Sequence, residues 1–338
     1  PLQNWLSDLK LRVSYGVNGT LPSSYYGYMG LSSLTSNYND NPGITQSQLE
    51  NKELTWETNY NFNSGIDLGF FDNRLNVTFE YYVRTTKNLL YSRPLSLATG
   101  FSSYLANIGK LQNKGYELEI RSTNIETKDF RWSTSLNLGH NANKILKLDG
   151  DLKQVTSGTS IHKVGLPYST YYMIEFAGID PVDGEPMFYK NTTDENGNLN
   201  KETTKDPRSA EKVILQCADP TITGGLGNSI SYKWFDLNFN VNFSFGAWNY
   251  DGSASKLEHG GDGTLNIPIY YRKRWQKEGD ETSIERFVVG RSISMTDYAT
   301  TRRLYSGDYV RLKNLTFGFT LPKTWTRKVG IDNIRLYA

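Results

Sequence analysis

Long and short connections alternate strictly along this chain, and that rhythm limits the folds open to it. Nine strand-like runs can be read, at 9–17, 54–71, 74–90, 113–126, 130–146, 221–232, 235–247, 307–321 and 333–338. The connections 18–53, 91–112, 147–220 and 248–306 are long, and 72–73, 127–129, 233–234 and 322–332 are short. Strands running up and down in this order gather nearly all the irregular chain at one end of a sheet. A transmembrane β-barrel has this asymmetry, with short periplasmic turns and long extracellular loops. A compact soluble domain has little reason to gather several long loops at one edge.

Within the runs, apolar residues fall on every second position, the period of a strand with one apolar face. Phe235, Leu237, Phe239, Val241, Phe243 and Phe245 alternate with Asp236, Asn238, Asn240, Asn242 and Ser244. Leu75, Val77, Phe79, Tyr81 and Val83 alternate with Asn76, Thr78, Glu80, Tyr82 and Arg84. Tyr116, Leu118 and Ile120 oppose Glu117, Glu119 and Arg121, and Leu9, Leu11, Val13 and Tyr15 oppose Lys10, Arg12 and Ser14. In 54–70, Leu54, Trp56, Tyr60, Phe62, Ile66, Leu68 and Phe70 keep one register, which predicts a strand long enough to project beyond a bilayer. Two environments suit such ribbons: a soluble sandwich with its core on the apolar face, or a wide barrel with lipid outside and water inside. Strand length, the Asn, Asp, Glu and Arg of the polar faces, and aromatics near strand ends (Trp56, Phe70, Phe71, Tyr91, Phe130, Trp132, Trp234, Phe235) favour the barrel. Asp72-Asn73 reads as a two-residue hairpin turn and Thr127-Lys128-Asp129 as a three-residue one. Lys233-Trp234 is a poorer turn by propensity, and its indole is expected at a membrane interface. The apolar parity shifts between Val310, Leu312 and Leu315, Phe317, which predicts a β-bulge near Lys313-Asn314.

Composition removes several function classes. The net charge is +2 and the densest basic run is Arg272-Lys273-Arg274, so nothing points to nucleic acid. The one cysteine, Cys217, allows no intrachain disulfide, and His140, His162 and His259 stand at no zinc-ligand spacing with it. No apolar run reaches the roughly 20 residues of a membrane helix. The mean hydropathy is that of a soluble protein, which leaves a barrel open because lumen-facing residues are polar. Pro1-Leu2-Gln3 reads as an arbitrary start and Leu336-Tyr337-Ala338 stops inside a strand, so a piece of a longer protein is expected.

Few residues suggest chemistry. Asp180 to Glu185 and Asp194 to Asn198 cluster oxygen ligands with glycine, but Lys205 stands where a calcium loop needs its bidentate Glu, so both read as turns. Gly224-Gly225-Leu226-Gly227 lacks the Lys-Ser/Thr and the helix of a phosphate loop; its glycines suit a strand bend. No nucleophile–base arrangement stands out, so no catalytic residue, metal or cofactor is expected. Aromatics of the long connections are the candidates for contact with a ligand or a lid: Tyr25, Tyr26, Tyr28, Tyr171, Tyr172, Trp248, Tyr250, Tyr270 and Tyr271, with Tyr168 and Trp275 beside them. Packing of the loops against one another accounts for them equally well.

Several segments are family-like. Leu9-Lys10-Leu11-Arg12-Val13-Ser14-Tyr15-Gly16-Val17-Asn18-Gly19, and Leu54-Thr55-Trp56-Glu57-Thr58 running into a long strand, resemble barrel strands of SusC/RagA-like TonB-dependent outer-membrane transporters. Asn107-Ile108-Gly109 followed by Asn113-Lys114-Gly115-Tyr116-Glu117 is similar to a recurring strand of that family. Gly178-Ile179-Asp180-Pro181 with Asp183-Gly184 resembles its extracellular segment, and Pro220 to Gly225 with Asn228 a strand entry. Gly307-Asp308-Tyr309-Val310-Arg311-Leu312-Lys313-Asn314-Leu315, ending at Leu321-Pro322, is the most specific match. The resemblance spans nearly the whole chain.

It implies an all-β fold: the C-terminal part of an antiparallel transmembrane β-barrel, about nine long strands of an incomplete wall, forming one unit over 1–338. A family member closes a plugged barrel of about 22 strands. Its plug and TonB box have no counterpart in this sequence, nor do its last strands. The implied function is TonB-dependent import of oligosaccharides or peptides across the bacterial outer membrane of a Bacteroidetes-type cell. The implied partners are a SusD-like lipoprotein lid, TonB through the missing N-terminal region, and outer-membrane lipid. The alternatives are a passive porin or adhesin barrel and a soluble β-rich carbohydrate-binding module; a glycosidase is the weakest reading.

Overall fold

The computed structural model describes residues 5–38, 40–148, 152–261, 265–290 and 298–338. Pro1 to Gln3 and parts of the connections 147–220 and 248–306 lie outside these. A single nine-stranded antiparallel sheet forms the body. Its strands are β1 (Leu6–Thr20), β2 (Glu57–Phe70), β3 (Leu75–Lys87), β4 (Lys110–Glu126), β5 (Phe130–Lys147), β6 (Ile222–Tyr232), β7 (Phe235–Phe245), β8 (Tyr309–Thr320) and β9 (Arg335–Tyr337). Every strand pairs with its neighbour in sequence, and β1 and β9 are the two edges. This is an up-and-down wall, open among the described residues.

Cross-strand register keeps the two faces separate over the whole wall. Leu9 lies opposite Leu68, Leu68 opposite Val77, Val77 opposite Ile120 and Ile120 opposite Leu136. The same row continues through Leu226, Val241 and Leu312. The facing row on the other side reads Arg12, Gly65, Glu80, Glu117, Gly139, Thr223, Ser244 and Tyr309. The bulge expected near Lys313-Asn314 is present: Asn240 pairs with Asn314 and Val241 with Leu312, which leaves Lys313 as the extra residue.

The apolar face is bare. Leu11 and Val13 keep 73% and 74% of their surface exposed. A soluble sandwich would cover that face. The buried core lies elsewhere, in the long connections, where Met173 is 0% exposed and Ile161, Phe188 and Tyr271 are buried with it. The polar side is grooved: Thr78, Glu80, Glu117, Glu119, Asn137 and Asn242 line one groove of about 640 Å³ there. Curled into a barrel, the wall therefore turns its apolar face to lipid and its polar face to the lumen.

Two local expectations need correction. The run 54–71 forms a strand only over Glu57–Phe70. The backbone before it is taken by the neighbouring loop: Asn107 Oδ1 accepts from the Thr55 N–H at 2.8 Å, and Asn107 Nδ2 donates to the Thr55 carbonyl at 2.8 Å. The hairpin turn read as Asp72-Asn73 spans four residues, because Phe70 pairs directly with Leu75. Phe71, Asp72 and Asn73 all take positive φ, at 53°, 56° and 61°. That conformation is costly for phenylalanine. It is held by the Phe71 N–H donating to the Trp5 carbonyl at 2.9 Å, and by Trp5 stacking on Phe70 at 5.7 Å. The short connection 322–332 contains a helical turn over Lys323–Thr326 and a 3₁₀ turn over Arg327–Val329. The turns 127–129 and Lys233-Trp234 are as expected, with Lys233 at φ 53°.

The long connections are more ordered than their composition indicates. They fold into hairpins over Leu31–Tyr38 with Asn41–Gln48 and Leu90–Pro94 with Ser103–Asn107. The connection after β5 builds a four-stranded sheet (Gln154–Ser157, Ser160–Lys163, Thr170–Ile174, Lys212–Cys217) and a three-stranded one (Phe176–Ile179, Pro186–Tyr189, Thr203–Thr204). All of them sit at the end opposite the short turns.

Candidate functional site

Two surfaces can meet a solute: the lumenal wall and the crown of loops above it. The wall is a hydrogen-bonded polar lattice. Arg12 grips Asp67 with two bonds of 2.9 Å and reaches Glu80 at 2.6 Å, while Thr78 Oγ1 donates to Asp67 at 3.0 Å. Higher up, Arg84 donates to Asn61 at 2.9 Å, Asn61 to Asn18 at 2.7 Å, and Tyr82 to Asn141 at 3.0 Å. Side chains held this way keep the lumen hydrated and the wall stiff. Glycines thin it where strands carry bulky partners. A Cβ on Gly224 would lie 2.5 Å from both the Phe243 ring and the Asn137 carbonyl. The Gly224-Gly225 pair is thus a packing device within β6.

The crown is held by three fixtures. The first is apolar: Met173 packs with Tyr171 and Leu304, flanked by Leu215, Trp248 and Tyr250, and the Tyr250 N–H donates to the Tyr171 hydroxyl at 3.2 Å. It joins the connection after β5 to the one after β7. The second is a buried ionic cluster. Arg303 donates to the Glu258 carboxylate at 3.2 Å and to the Glu258 carbonyl at 2.9 Å, and Arg302 pairs with Glu285. The Tyr271 hydroxyl donates to Glu285 at 3.1 Å, and the Tyr270 hydroxyl to Glu258. Burial, reinforced by its bond to the Glu258 carboxylate, pushes the Tyr270 hydroxyl up to about 12. Burial likewise drives Tyr271 far upward, with the Glu285 charge adding to it. Gly260, at φ 59°, makes room for the cluster, since a Cβ there would sit 2.7 Å from Glu285 Oε1.

The third fixture is a latch. Trp275 lies over Gly184, whose φ is 72° and whose missing Cβ would be 2.5 Å from the indole. The Trp275 Nε1–H donates to the Pro181 carbonyl at 2.9 Å, and the Arg286 N–H to the Gly184 carbonyl at 3.0 Å. Lys205 sits between Asp180 and Asp183, at 2.6 and 2.7 Å. Its hydrogen bonds hold both carboxyls below their usual range. An ammonium thus occupies the place a cation would take. Asp194 closes its own turn by accepting from the N–H groups of Asn196 and Asn198, at 2.9 and 2.7 Å.

The aromatic candidates divide accordingly. Tyr25 is 92% exposed, and Tyr26 and Tyr28 are exposed beside it. Gln48 fixes their turn by donating to the Tyr26 and Met29 carbonyls at 2.9 and 2.8 Å. Tyr270 keeps an exposed face next to the exposed Ile269. Tyr172, Trp248 and Tyr250 are half-buried, while Tyr171 and Tyr271 are buried at 9% and 1% exposure, in the fixtures just described. Burial gives those two a packing role and leaves Tyr25, Tyr26, Tyr28 and Tyr270 as the exposed members of the set. Tyr168 packs on His162 at 4.2 Å, and Trp275 belongs to the latch. Glu258, Glu285, Arg302 and Arg303 carry no signal in the sequence. Glu258 and Arg303 are 45 residues apart, and no local spacing marks them. Exposed apolar tips at Leu97, Leu34 and Ile44 are equally unmarked.

Known proteins share this architecture. The model of the TonB dependent receptor-like β-barrel family matches residues 3–334. TonB-dependent receptor P3 of Formosa agariphila is 33% identical over 99% of this chain and 34% of its own length. TonB-dependent receptor SusC of Bacteroides thetaiotaomicron is 29% identical, over 99% and 34%. Among solved structures, the RagAB peptide transporter superposes with a TM-score of 0.80 at 30% identity, over 99% of this chain and 37% of that one. The chain thus spans about a third of the length of these relatives. With the family model covering nearly every residue of this nine-stranded antiparallel wall, the chain belongs to the TonB-dependent receptor β-barrels of the bacterial outer membrane.

Proposed function

We propose that this chain supplies wall and crown to a TonB-dependent importer of oligosaccharides or peptides, working with a SusD-like lipoprotein that closes over the crown. The observation that carries this is the pairing of a polar, charged lumenal wall with an ordered crown whose exposed aromatics stand clear of the packed core. Likeness to the RagAB peptide transporter and to SusC supports import, and the peptide cargo of the RagAB transporter makes peptides the preferred substrate class in this reading. TonB is the energy-coupling partner in this reading. Tyr25, Tyr26 and Tyr28, on a turn pinned by Gln48, are the lid contact; Tyr270 and Ile269 face the solute.

The test uses the full-length transporter and its lipoprotein. Combined Tyr25→Ala, Tyr26→Ala and Tyr28→Ala is expected to weaken lipoprotein capture about tenfold or more, since exposed tyrosines of this kind dominate interface energies. Capture unchanged by the triple replacement would remove this turn from the lid contact. Calorimetric titration of the complex with a peptide mixture and with a glycan panel decides the substrate; heat from the glycans alone would reverse the preference for peptides.

A further inference from the structure

The register sorts the charges of the wall with unusual strictness. On the apolar face of β1 to β9, no paired position carries Asp, Glu or Arg. Its only charged residues are five lysines, on three adjacent strands, all at the loop-bearing end. Lys114 lies between Val83 and Ala142, and Lys144 is opposite Gln112, itself opposite Thr85. In the next row Lys87 is directly opposite Lys110, and Lys110 directly opposite Lys147. The row just below the cluster is aromatic: Tyr81, Tyr116 and His140. The Lys87 ammonium also caps the Tyr60 ring at 4.5 Å.

Like charges placed directly opposite one another across strands destabilise a sheet. Neighbouring strands are only about 4.8 Å apart. Among the described residues, none of the five lysines forms an ion pair with a carboxylate, although the lumenal face of the same strands holds Glu80, Glu117 and Glu119. The row Lys87–Lys110–Lys147 is therefore an unbalanced cationic strip. It starts where the apolar band and its aromatic belt end. In an outer membrane that level is the headgroup layer of the outer leaflet, which is built of a phosphorylated glycolipid.

We propose that Lys87, Lys110, Lys114, Lys144 and Lys147 form an outward-facing site for the phosphate groups of the outer-leaflet glycolipid. The strip is continuous with the lipid-facing band, and its charge is opposite to that of the headgroups. Tyr81 and Tyr116, one row deeper, supply aromatic surface for the glucosamine and the first acyl carbons. The site is independent of what the transporter carries. It would fix how the barrel sits in the leaflet, with β3 to β5 wearing a shell of bound glycolipid.

The experiment compares the full-length transporter with the combined Lys87→Gln, Lys114→Gln and Lys144→Gln variant. Both are placed in phosphatidylcholine nanodiscs doped with bisphosphorylated lipid A, and retained lipid A is counted by native mass spectrometry. Heat-modifiable gel mobility confirms that each barrel is closed. The wild type is expected to retain lipid A at least tenfold more tightly than the variant, to lose it as salt rises, and to ignore dephosphorylated lipid A. A lumenal control, Lys10→Gln, is expected to behave as the wild type. Equal retention by wild type and triple variant would overturn the site. So would equal retention of dephosphorylated lipid A, or of phosphatidylglycerol, because the lysines would then not be reading a phosphorylated glycolipid.

Discussion

Arginine in place of Leu136 is expected to cost the barrel about 2–4 kcal/mol in a bilayer, while arginine one residue on, at Asn137, costs next to nothing. The two positions share a strand and differ only in face. Leu136 is flanked by Ile120 and Leu226 on the apolar side, several rows from either end of the wall. A guanidinium there must shed water or drag it into the hydrocarbon. Asn137 lies opposite Glu119 on the lumenal side and lines the hydrated groove. A new cation there meets a carboxylate across the strands, which is neutral or mildly favourable. Urea titration of the full-length transporter in liposomes checks the pair. Equal losses at both positions would mean that the faces do not see different solvents.

Truncating Glu285 to alanine is expected to loosen the crown by about 3–5 kcal/mol and leave the barrel untouched. Glu285 is fully buried, and its carboxylate meets the Arg302 guanidinium and the Tyr271 hydroxyl. Removing it leaves the Arg302 guanidinium with only the more distant Glu258 carboxylate, 3.9 Å from its Nε, and that under-compensated charge is the main cost. Replacing Glu285 and Arg302 together by methionine restores most of the loss, because an apolar pair of similar volume asks for no compensation. Hydrogen exchange at Tyr271, Arg303 and Leu304 reads the effect, with the amides of β4 and β5 as an internal reference. A double replacement as damaging as the single one would mean that the cluster acts through volume rather than charge.

What the sequence reveals and what it conceals follow from the range of the interactions involved. The strands β3, β5 and β7 are legible because each carries its own period-two signal: the run from Phe235 to Phe245 declares its face without reference to any other segment. The Lys313 bulge is legible for the same reason, as a parity slip inside one strand. The turn at Phe71–Asn73 is not, since positive φ at a phenylalanine depends on Trp5, which is remote in sequence. The start of β2 depends on Asn107, 52 residues away from Thr55. The crown is hidden almost entirely. Tyr171 and Tyr271 are the same residue type as Tyr25, yet they are held inside by Met173 and by Glu285. Exposure, rather than residue type, separates a contact aromatic from a packing one, and exposure is a property of the assembled loops.

The whole account depends on lipid touching one face of this wall and water the other. Nitroxide labels placed singly at each residue from Phe235 to Phe245 of the full-length transporter, in liposomes, test it directly. Collision with oxygen, which partitions into acyl chains, should peak at the odd positions Leu237, Phe239, Val241 and Phe243. Collision with a water-soluble nickel chelate should peak at Asn238, Asn240 and Asn242. A uniform profile, or one with the two reagents exchanged, would contradict the outward placement of the apolar face.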